Sequence, residues 1–206
     1  MEQTALKLKI YRNSCHQWVY KKMVDIPRKG FSKAAIVRVI DKAGIFAGVG
    51  IFNPSSTVAI RFLTNNDEVI DRGFFYRRLS ALKNLKEKIL RLGVNSDCYR
   101  LVHSESDGLP GLIIDKFADY IMIKPYCAGY GGMTMEHIAS SLTELYPAAK
   151  IMVSPDEKSC AKDGADYRAE IKKYHVGKAR AEISEFGVKF SVDFELGQKT
   201  GFFLDQ

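Results

Sequence analysis

The sequence lacks the features that would place it in a membrane, in a secretory pathway or around a metal ion. No apolar run approaches the length of about 20 residues that a membrane span needs, and residues 1–10 alternate polar and apolar side chains, unlike a signal-peptide core. Cysteine and histidine are scattered, without a CxxC pair or zinc-ligand spacing. We therefore expect a soluble, cytoplasmic protein without membrane contact or metal, whose thiols are free and mostly buried: Cys15, Cys98, Cys127 and Cys160.

Proline is also scarce, with six residues, and 46% hydrophobic with 27% charged residues is the composition of a globular protein. The 206 residues allow one large domain or two small ones. Residues 1–93 carry 18 Lys and Arg against 7 Asp and Glu, whereas residues 94–206 carry 13 against 17. A net charge of +11 in one part and −4 in the other indicates two modules, the first of which meets a polyanion. A solvated basic surface is the alternative.

The first module has the pattern of short strands. Residues 5–11, 34–40, 45–52 and 57–63 alternate or are rich in β-branched and aromatic side chains, and turn residues separate the last two. This spacing predicts a small β-barrel or sandwich over residues 1–70.

A helix is predicted over residues 71–93, because apolar side chains recur there at intervals of three and four residues. Asp67 or Asp71 could cap its start. Its other face carries a basic stripe, which is either a solvated face or an extension of the positive surface of the barrel: Arg72, Arg77, Arg78, Lys83, Lys86, Lys88 and Arg91.

The second module alternates between strands and one helix. A helix is predicted over residues 133–145, with Thr134 as its cap. Strands are predicted around it over residues 98–103, 112–116, 120–124, 151–154, 181–185 and 188–194. This order predicts an α+β fold rather than a doubly wound sheet.

Four further stretches are unusual. The glycines at 48–50 and 129–132 invite comparison with nucleotide loops, but the first pair is more typical of a bulge or a close backbone approach, and the second follows a hairpin strand. Residues 105–115 contain three carboxylates, which are either acid/base groups or turn residues that bind backbone amides. Residues 196–206 hold apolar side chains that we expect to pack against a following segment.

Three segments together carry a family resemblance: residues 16–20 with 50–56, residues 105–115 and residues 197–206. On these, the chain resembles the N-terminal half of the S-adenosylmethionine-dependent 23S rRNA (cytosine-C5) methyltransferases that begin with a PUA domain. The resemblance runs in order from about residue 6 to residue 206. Gln17 stands where the family usually has proline.

The resemblance implies four parts. They are a PUA-like RNA-binding barrel (1–70), a linking helix (71–93), an α+β domain of strand-strand-helix-strand-strand order (94–185), and the start of a truncated Rossmann-like methyltransferase domain (186–206). It implies structured RNA, 23S rRNA in particular, as the partner and leaves a homodimer open. RNA contact is expected near the first motif, at Arg12, His16, Trp18, Lys21, Lys22, Arg28, Lys29 and Lys33.

The same resemblance implies S-adenosylmethionine as the cofactor, with contacts from Thr200, Phe203, Asp205 and Gln206. The family's cofactor loop and nucleophilic cysteine would lie downstream of residue 206. No catalytic residue is assigned, since none of the four cysteines lies in a matching motif, and we expect this chain not to methylate by itself. The function expected is the RNA-binding and linker part of such an enzyme. A standalone PUA-type RNA-binding or protein-interaction module without catalysis is the alternative.

Overall fold

The computed structural model describes residues 5–12, 16–27, 31–177, 180–194, 202 and 204. None of the helices in these ranges is both long enough and apolar enough to cross a membrane. The described chain forms a mixed α+β structure with a six-stranded sheet, a four-stranded sheet and a separate hairpin. The predicted α+β class is therefore confirmed.

The first sheet contains six strands in the order β2-β6-β5-β4-β1-β3. Neighbouring strands are antiparallel, except that β1 runs parallel to β4. The strand bounds are β1 Ala5–Leu8, β2 Trp18–Tyr20, β3 Val24–Asp25, β4 Ala35–Ile40, β5 Phe46–Phe52 and β6 Val58–Thr64.

Three of the predicted strands match β4, β5 and β6 to within one residue at each end, but the first does not. β1 ends at Leu8 rather than at residue 11. Ile10 and Tyr11 continue the alternating pattern, but both side chains are exposed and have no core to face. The sequence reasoning also missed β2 and β3, which have three and two residues and are too short to show a period.

Two glycines of β5 allow β6 to approach closely. A Cβ atom on Gly50 would lie 2.5 Å from the carbonyl oxygen of Arg61, and one on Gly48, whose φ is +138°, would lie 2.6 Å from that of Thr64. The register between the two strands shifts between Val49 and Gly50. The prediction of a bulge or close backbone approach at 48–50 is confirmed.

A helix follows the first sheet, and α1 spans Arg72–Lys83. Its cap is Asp71, whose carboxylate accepts a hydrogen bond from Phe74 N at 2.9 Å, whereas Asp67 forms an ion pair with Arg38. The chain continues as a π-helical segment (Asn84–Ile89) and a 3₁₀ turn (Leu92–Val94). The predicted helix is thus α-helical to Lys83 and π-helical to Ile89, and it ends before residue 93.

The apolar period misled that prediction because two of its late members, Ile89 and Leu90, do not face a core. The side chains of Ile89 and Leu90 are 64% and 53% exposed. Arg91 then adopts a left-handed conformation with φ of 55°, which ends the helical path.

The second sheet has the order β10-β9-β8-β7. Its strands are β7 Cys98–His103, β8 Leu112–Phe117, β9 Tyr120–Pro125 and β10 Lys150–Val153. The helix α2 (Met133–Leu145) connects β9 to β10, which run parallel. Two short helices, α3 (Glu157–Lys162) and α4 (Arg168–Lys173), lead to an antiparallel hairpin of β11 (Arg180–Glu185) and β12 (Val188–Asp193).

The order of elements in this module differs from the expected strand-strand-helix-strand-strand. Three strands precede α2 and one follows it, and the last hairpin forms its own two-stranded sheet. α3 and α4 lie in a polar stretch of the sequence and were not predicted. Each helix has six residues, and Cys160 is the one residue that is buried in either of them. Thr134 is not a cap, because Gly132 occupies the N-cap position and Thr134 lies inside the first turn.

The two modules share one hydrophobic core. Ile51 of β5, Phe75 and Leu79 of α1, and Leu101 and Ile114 of the second sheet belong to the same cluster of buried residues. A second cluster lies within the first sheet, and a third joins the second sheet to the hairpin. Apolar side chains line both faces of β5 and β6. One set packs against the other strands of the first sheet, and the other set packs against α1 and the second module.

The C-terminal apolar side chains pack on this same chain. The rings of Phe190 and Phe202 lie 5.1 Å apart, and Leu204 is buried in the cluster that contains Cys98 and Phe117. Phe202 and Leu204 thus pack against preceding elements, and the expected packing of residues 196–206 against a following segment stays a prediction. The other residues from 195 to 206 lie outside the described residues.

Candidate nucleic-acid interface

The residues predicted to contact RNA fall into two groups on the first sheet. Lys21, Lys22 and Lys33 lie at the end of the sheet that holds the turn from β5 to β6, since Lys21 N donates to Thr57 O and Ala35 pairs with Phe52. All three lysines are exposed. Arg28 and Lys29 lie outside the described residues.

The second group, Arg12, His16 and Trp18, lies toward the other end of β6. Trp18 pairs with Arg61, and Phe62 N donates to Gln17 O at 2.8 Å. The Arg12 guanidinium stacks on Phe62, 3.5 Å from the ring centroid. It also donates to Asn65 Oδ1 at 2.9 Å, which holds the cation in one place on the sheet. The structure therefore does not gather the described candidates into a single patch.

His16 and Trp18 form an aromatic corner. Their ring centroids are 5.8 Å apart and the ring planes meet at 76°. Trp18 N donates to His16 Nδ1 at 3.1 Å, which fixes the imidazole relative to the strand. His16 is exposed and Trp18 is half-buried, so both rings are available for stacking from the solvent side.

Glu105 of the second module closes this corner. Its Oε1 accepts a hydrogen bond from Trp18 Nε1 at 2.9 Å, and its Oε2 accepts one from the Ser104 hydroxyl at 2.5 Å. Gln17 Nε2 donates to Glu105 O at 2.9 Å. Together His16, Gln17, Trp18 and Glu105 line an open pocket of about 430 Å³ between the modules.

Sequence reasoning assigned neither Gln17 nor Glu105 to this interface. Both lie in segments that carry the family resemblance, but Gln17 and Glu105 are 88 residues apart. No local pattern reports such a contact. The pairing is a property of the packed modules.

The three carboxylates of residues 105–115 have separate partners. Asp107 accepts from His103 N at 2.7 Å, which confirms the prediction that a turn carboxylate binds a backbone amide. Asp115 is fully buried and pairs with Arg100 at 2.8 Å, whereas Glu105 binds Trp18. Each carboxylate is thus held by a different group, and the arrangement favours structural roles over paired acid/base chemistry.

Most of the basic stripe on the linking segment faces the second module. Arg78 donates to Gly108 O at 2.7 Å, Lys83 donates to Leu145 O at 2.6 Å, and Lys86 lies 3.9 Å from Asp107. Arg72 pairs with Glu144. Burial lowers the pKa of Arg78. The interpretation of this stripe as a solvated face is therefore wrong for Arg78, Lys83 and Lys86, whereas Arg72 is exposed.

The described cysteines are poor nucleophiles. Cys98, Cys127 and Cys160 are free and buried, which confirms the prediction for these three. Burial raises the pKa of the Cys127 thiol to about 12 and that of Cys160 to about 11. Because the thiolate is the nucleophile, these side chains are unreactive near neutral pH. Cys15 lies outside the described residues.

The glycines at 129–132 face a carboxylate. Gly132 N donates to Glu170 Oε1 at 2.6 Å, at the start of α2. Tyr130 N is satisfied by the Tyr167 hydroxyl at 3.2 Å. A carboxylate on these amides competes with an incoming phosphate, so the geometry agrees with the sequence-based argument against a nucleotide loop.

The predicted cofactor contacts lie outside the described residues: Thr200, Phe203, Asp205 and Gln206. Their described neighbours, Phe202 and Leu204, are apolar and contribute to packing. Packing accounts for these two side chains, and neither is assigned a role in cofactor binding.

Comparisons with known proteins find a domain match within the first module and relatives along most of the chain. A sequence model of the PUA-like domain matches residues 13–65. Ribosomal RNA large subunit methyltransferase I of Aliivibrio fischeri is 33% identical over 193 residues, which make up 93% of this chain and 48% of that protein. The protein of the same name from Yersinia pseudotuberculosis is 32% identical with the same coverage.

Two solved structures share the fold. SMU.776, described as a methyltransferase and solved in complex with SAH, has a TM-score of 0.72 at 18% identity. The match covers 98% of this chain and 51% of SMU.776. A Streptococcus mutans protein described as a SAM-dependent methyltransferase has a TM-score of 0.68 at 19% identity, with coverages of 92% and 47%. The chain thus spans about half the length of the relatives it matches, and its residues 13–65 match the PUA-like domain.

Proposed function

We propose that this chain is the RNA-docking and linking part of an S-adenosylmethionine-dependent rRNA (cytosine-C5) methyltransferase. The observation that carries the proposal is the 33% identity, over 93% of the chain, with a ribosomal RNA large subunit methyltransferase. The proposed parts are a PUA-like barrel at 1–70, a linker at 71–93, a middle domain at 94–185 and the start of a methyltransferase domain at 186–206. The proposed partner is structured 23S rRNA.

The charge distribution supports RNA docking by the first module. Residues 1–93 carry a net charge of +11, and the described lysines at 21, 22 and 33 are exposed at one end of the sheet. Phosphate contacts from such side chains supply affinity without reading base sequence. Folded RNA is recognised chiefly by shape and backbone contacts of this kind.

The junction between the modules supports the linking role. Arg61 of β6 pairs with Asp163 at 3.2 Å, and both side chains are about nine-tenths buried. Asn53 Nδ2 donates to Asp163 O at 2.7 Å. These contacts fix the PUA-like domain against the second module, so RNA bound by the first would be held at a set position relative to whatever follows the second.

We propose S-adenosylmethionine as the methyl donor of the whole enzyme. When bound, this cofactor supplies an electrophilic methyl group, and C5 methylation needs a cysteine thiolate that attacks C6 of the base. The described cysteines do not suit that role, since burial raises their pKa and keeps them protonated. We therefore propose that this chain docks RNA, and we assign no role in methyl transfer to its described cysteines.

The test is binding of a 23S rRNA fragment across a salt series. Exchange of Lys21 and Lys22 for Glu is expected to weaken binding at least tenfold and to reduce the slope of log affinity against log salt, because phosphate contacts release counterions. The matched control exchanges Lys150 and Lys172 for Glu, two exposed lysines of the second module. Binding that is insensitive to salt, or equal losses for both pairs, would overturn the proposal.

A protein-interaction role is the second candidate. It is favoured by exposed apolar side chains where the hairpin meets the linking segment: Phe186 is 72% exposed and Val94 is 61% exposed, and Phe186 N donates to Asn95 O. Such a patch is typical of an interface. Light scattering of the wild-type chain and of the variant Phe186→Ser tests self-association, and a monomer at all concentrations argues against a homodimer through this patch.

A further inference from the structure

The pocket between the PUA-like domain and the second module has an unusual chemical lining. It is open, has a volume of about 430 Å³ and is formed by His16, Gln17, Trp18 and Glu105. This volume falls in the range of about 300–1,000 Å³ that is typical of small-molecule sites. If the chain binds RNA as proposed, this lining determines which part of the RNA the pocket takes.

Two walls of the pocket are aromatic. The rings of His16 and Trp18 meet at 76°, so a flat group stacked on one ring would present its edge to the other. Aromatic faces of this kind bind unstacked bases, and each stacked base contributes about 1–3 kcal/mol. The hydrogen bond from Trp18 Nε1 to Glu105 fixes the orientation of the indole ring before any ligand arrives.

Glu105 offers hydrogen-bond acceptors to the pocket, whereas His16, whose Nδ1 accepts from Trp18 N, carries its N–H donor on Nε2. A carboxylate offers about four lone-pair positions, and Glu105 uses two of them for Trp18 Nε1 and the Ser104 hydroxyl. Gln17 Oε1 is buried and has no hydrogen-bond partner among the described residues, because the Gln17 amide nitrogen is directed to Glu105 O. The lone-pair positions that Glu105 leaves open favour a ligand that donates hydrogen bonds.

We propose that this pocket binds one unstacked nucleobase that carries an exocyclic amino group, a specificity that rests on the proposed RNA-docking function. Adenine, cytosine and guanine each present such a donor, and a carboxylate is a suitable acceptor for it. Uracil presents carbonyl oxygens at those positions, whose lone pairs Glu105 repels, and only its ring N3–H can donate to the carboxylate. A phosphate is disfavoured for the same reason, since the carboxylate repels it.

The surroundings provide a place for the backbone of the same strand. A second pocket of about 270 Å³ shares Gln17 and is lined by Asn65, Asn66 and Arg78. Arg78 uses one guanidinium nitrogen for Gly108 O, and a guanidinium has five N–H donors. The base pocket thus opens beside a polar groove that suits ribose and phosphate, as expected for a nucleotide within a strand rather than a free nucleoside.

The experiment uses Trp18, which is the single tryptophan of the chain and lies in the pocket. Quenching of its fluorescence is titrated with pentanucleotides of adenine, cytosine or uracil and with an abasic pentamer of equal charge. The adenine and cytosine strands are expected to bind about tenfold more tightly than the uracil strand, and the abasic strand more weakly than all three.

The variant Glu105→Gln isolates the acceptor role, because an amide both donates and accepts. It is expected to reduce the tenfold preference to threefold or less, while Glu182→Gln, an exposed carboxylate on the hairpin, keeps it. A second variant, His16→Ala, removes one wall without touching Glu105 and is expected to weaken all three bases about fivefold or more at an unchanged preference. Circular dichroism checks that each variant is folded.

Equal affinities of the uracil, cytosine and abasic strands would refute base binding in this pocket. A folded Glu105→Gln variant with an unchanged preference among the strands would refute it as well. These results leave salt-dependent binding of the rRNA fragment intact if the proposed function is right. Loss of that binding in the wild-type chain would instead reject the proposed function. The two failures are therefore distinguishable.

Discussion

Exchange of Asp163 for Asn tests whether the two modules depend on each other for stability. The Asp163 carboxylate lies 3.2 Å from Arg61 Nη1 and accepts from Ala128 N at 3.3 Å. Asn keeps the shape and one acceptor but removes the charge. The Arg61 guanidinium is then left about nine-tenths buried, with Val58 O as a remaining acceptor at 3.1 Å.

The expected loss in the free energy of unfolding is about 3 kcal/mol. Removal of one partner from a buried ion pair costs about 3–5 kcal/mol, because the other charge stays buried without compensation. The lower end applies here, since the remaining hydrogen bond to Val58 O partly satisfies Arg61. The matched variant Arg61→Met removes the other charge, and the double variant is expected to lose at least about 1.5 kcal/mol less than the two single losses together.

Urea unfolding followed by circular dichroism measures these quantities. Because Ile51, Phe75 and Leu101 lie in one buried cluster that spans both modules, the wild-type chain is expected to unfold in a single transition. Two separate transitions, or losses for the single variants that add up in the double variant, would refute the argument that the Arg61–Asp163 pair couples the PUA-like domain to the second module.

Three further predictions follow from local geometry. Asp71→Ala is expected to lower the free energy of unfolding by about 1 kcal/mol in urea titration, because Phe74 N loses its cap acceptor, while Asp71→Ser should recover most of it. Gly50→Ala is expected to cost about 1–3 kcal/mol by the same measurement, since the added Cβ would lie 2.5 Å from Arg61 O. The thiols of Cys127 and Cys160 are expected to react with a disulfide reagent at pH 8 only after denaturation, because burial raises their pKa to about 12 and about 11 and keeps both protonated below those values.

The fold was predictable where a period had a core to face. β4, β5 and β6 alternate or are fully apolar and were found to within a residue, and the predicted bounds of α2 are those observed. Prediction from sequence failed where an apolar pattern does not correspond to burial. Residues 84–93 keep an apolar period, although Ile89 is exposed. Short elements such as β2 and α4 carry too few residues for any period to show.

The candidate site was predictable in composition but not in geometry. The motif around residue 16 placed His16 and Trp18 among RNA contacts, whereas the structure separates them from Lys21 and Lys33 along the sheet. The hydrogen bond between Trp18 and Glu105 joins residues 87 apart. Contacts of that separation depend on how two modules pack, and no local feature of either segment encodes them.

That contact also alters what the charge asymmetry means for RNA binding. The acidic second module would be expected to stay away from a polyanion, since like charges repel. Yet Glu105 is held at the edge of the basic module by Trp18 and Gln17, where a single carboxylate can select a base without meeting a phosphate. Affinity and selectivity would then come from different modules: exposed lysines of the first supply salt-dependent docking, and one acidic residue of the second supplies preference for the base. A charge reversal at Lys21 should consequently change affinity for all strands alike, whereas a change at Glu105 should alter the ratio between strands.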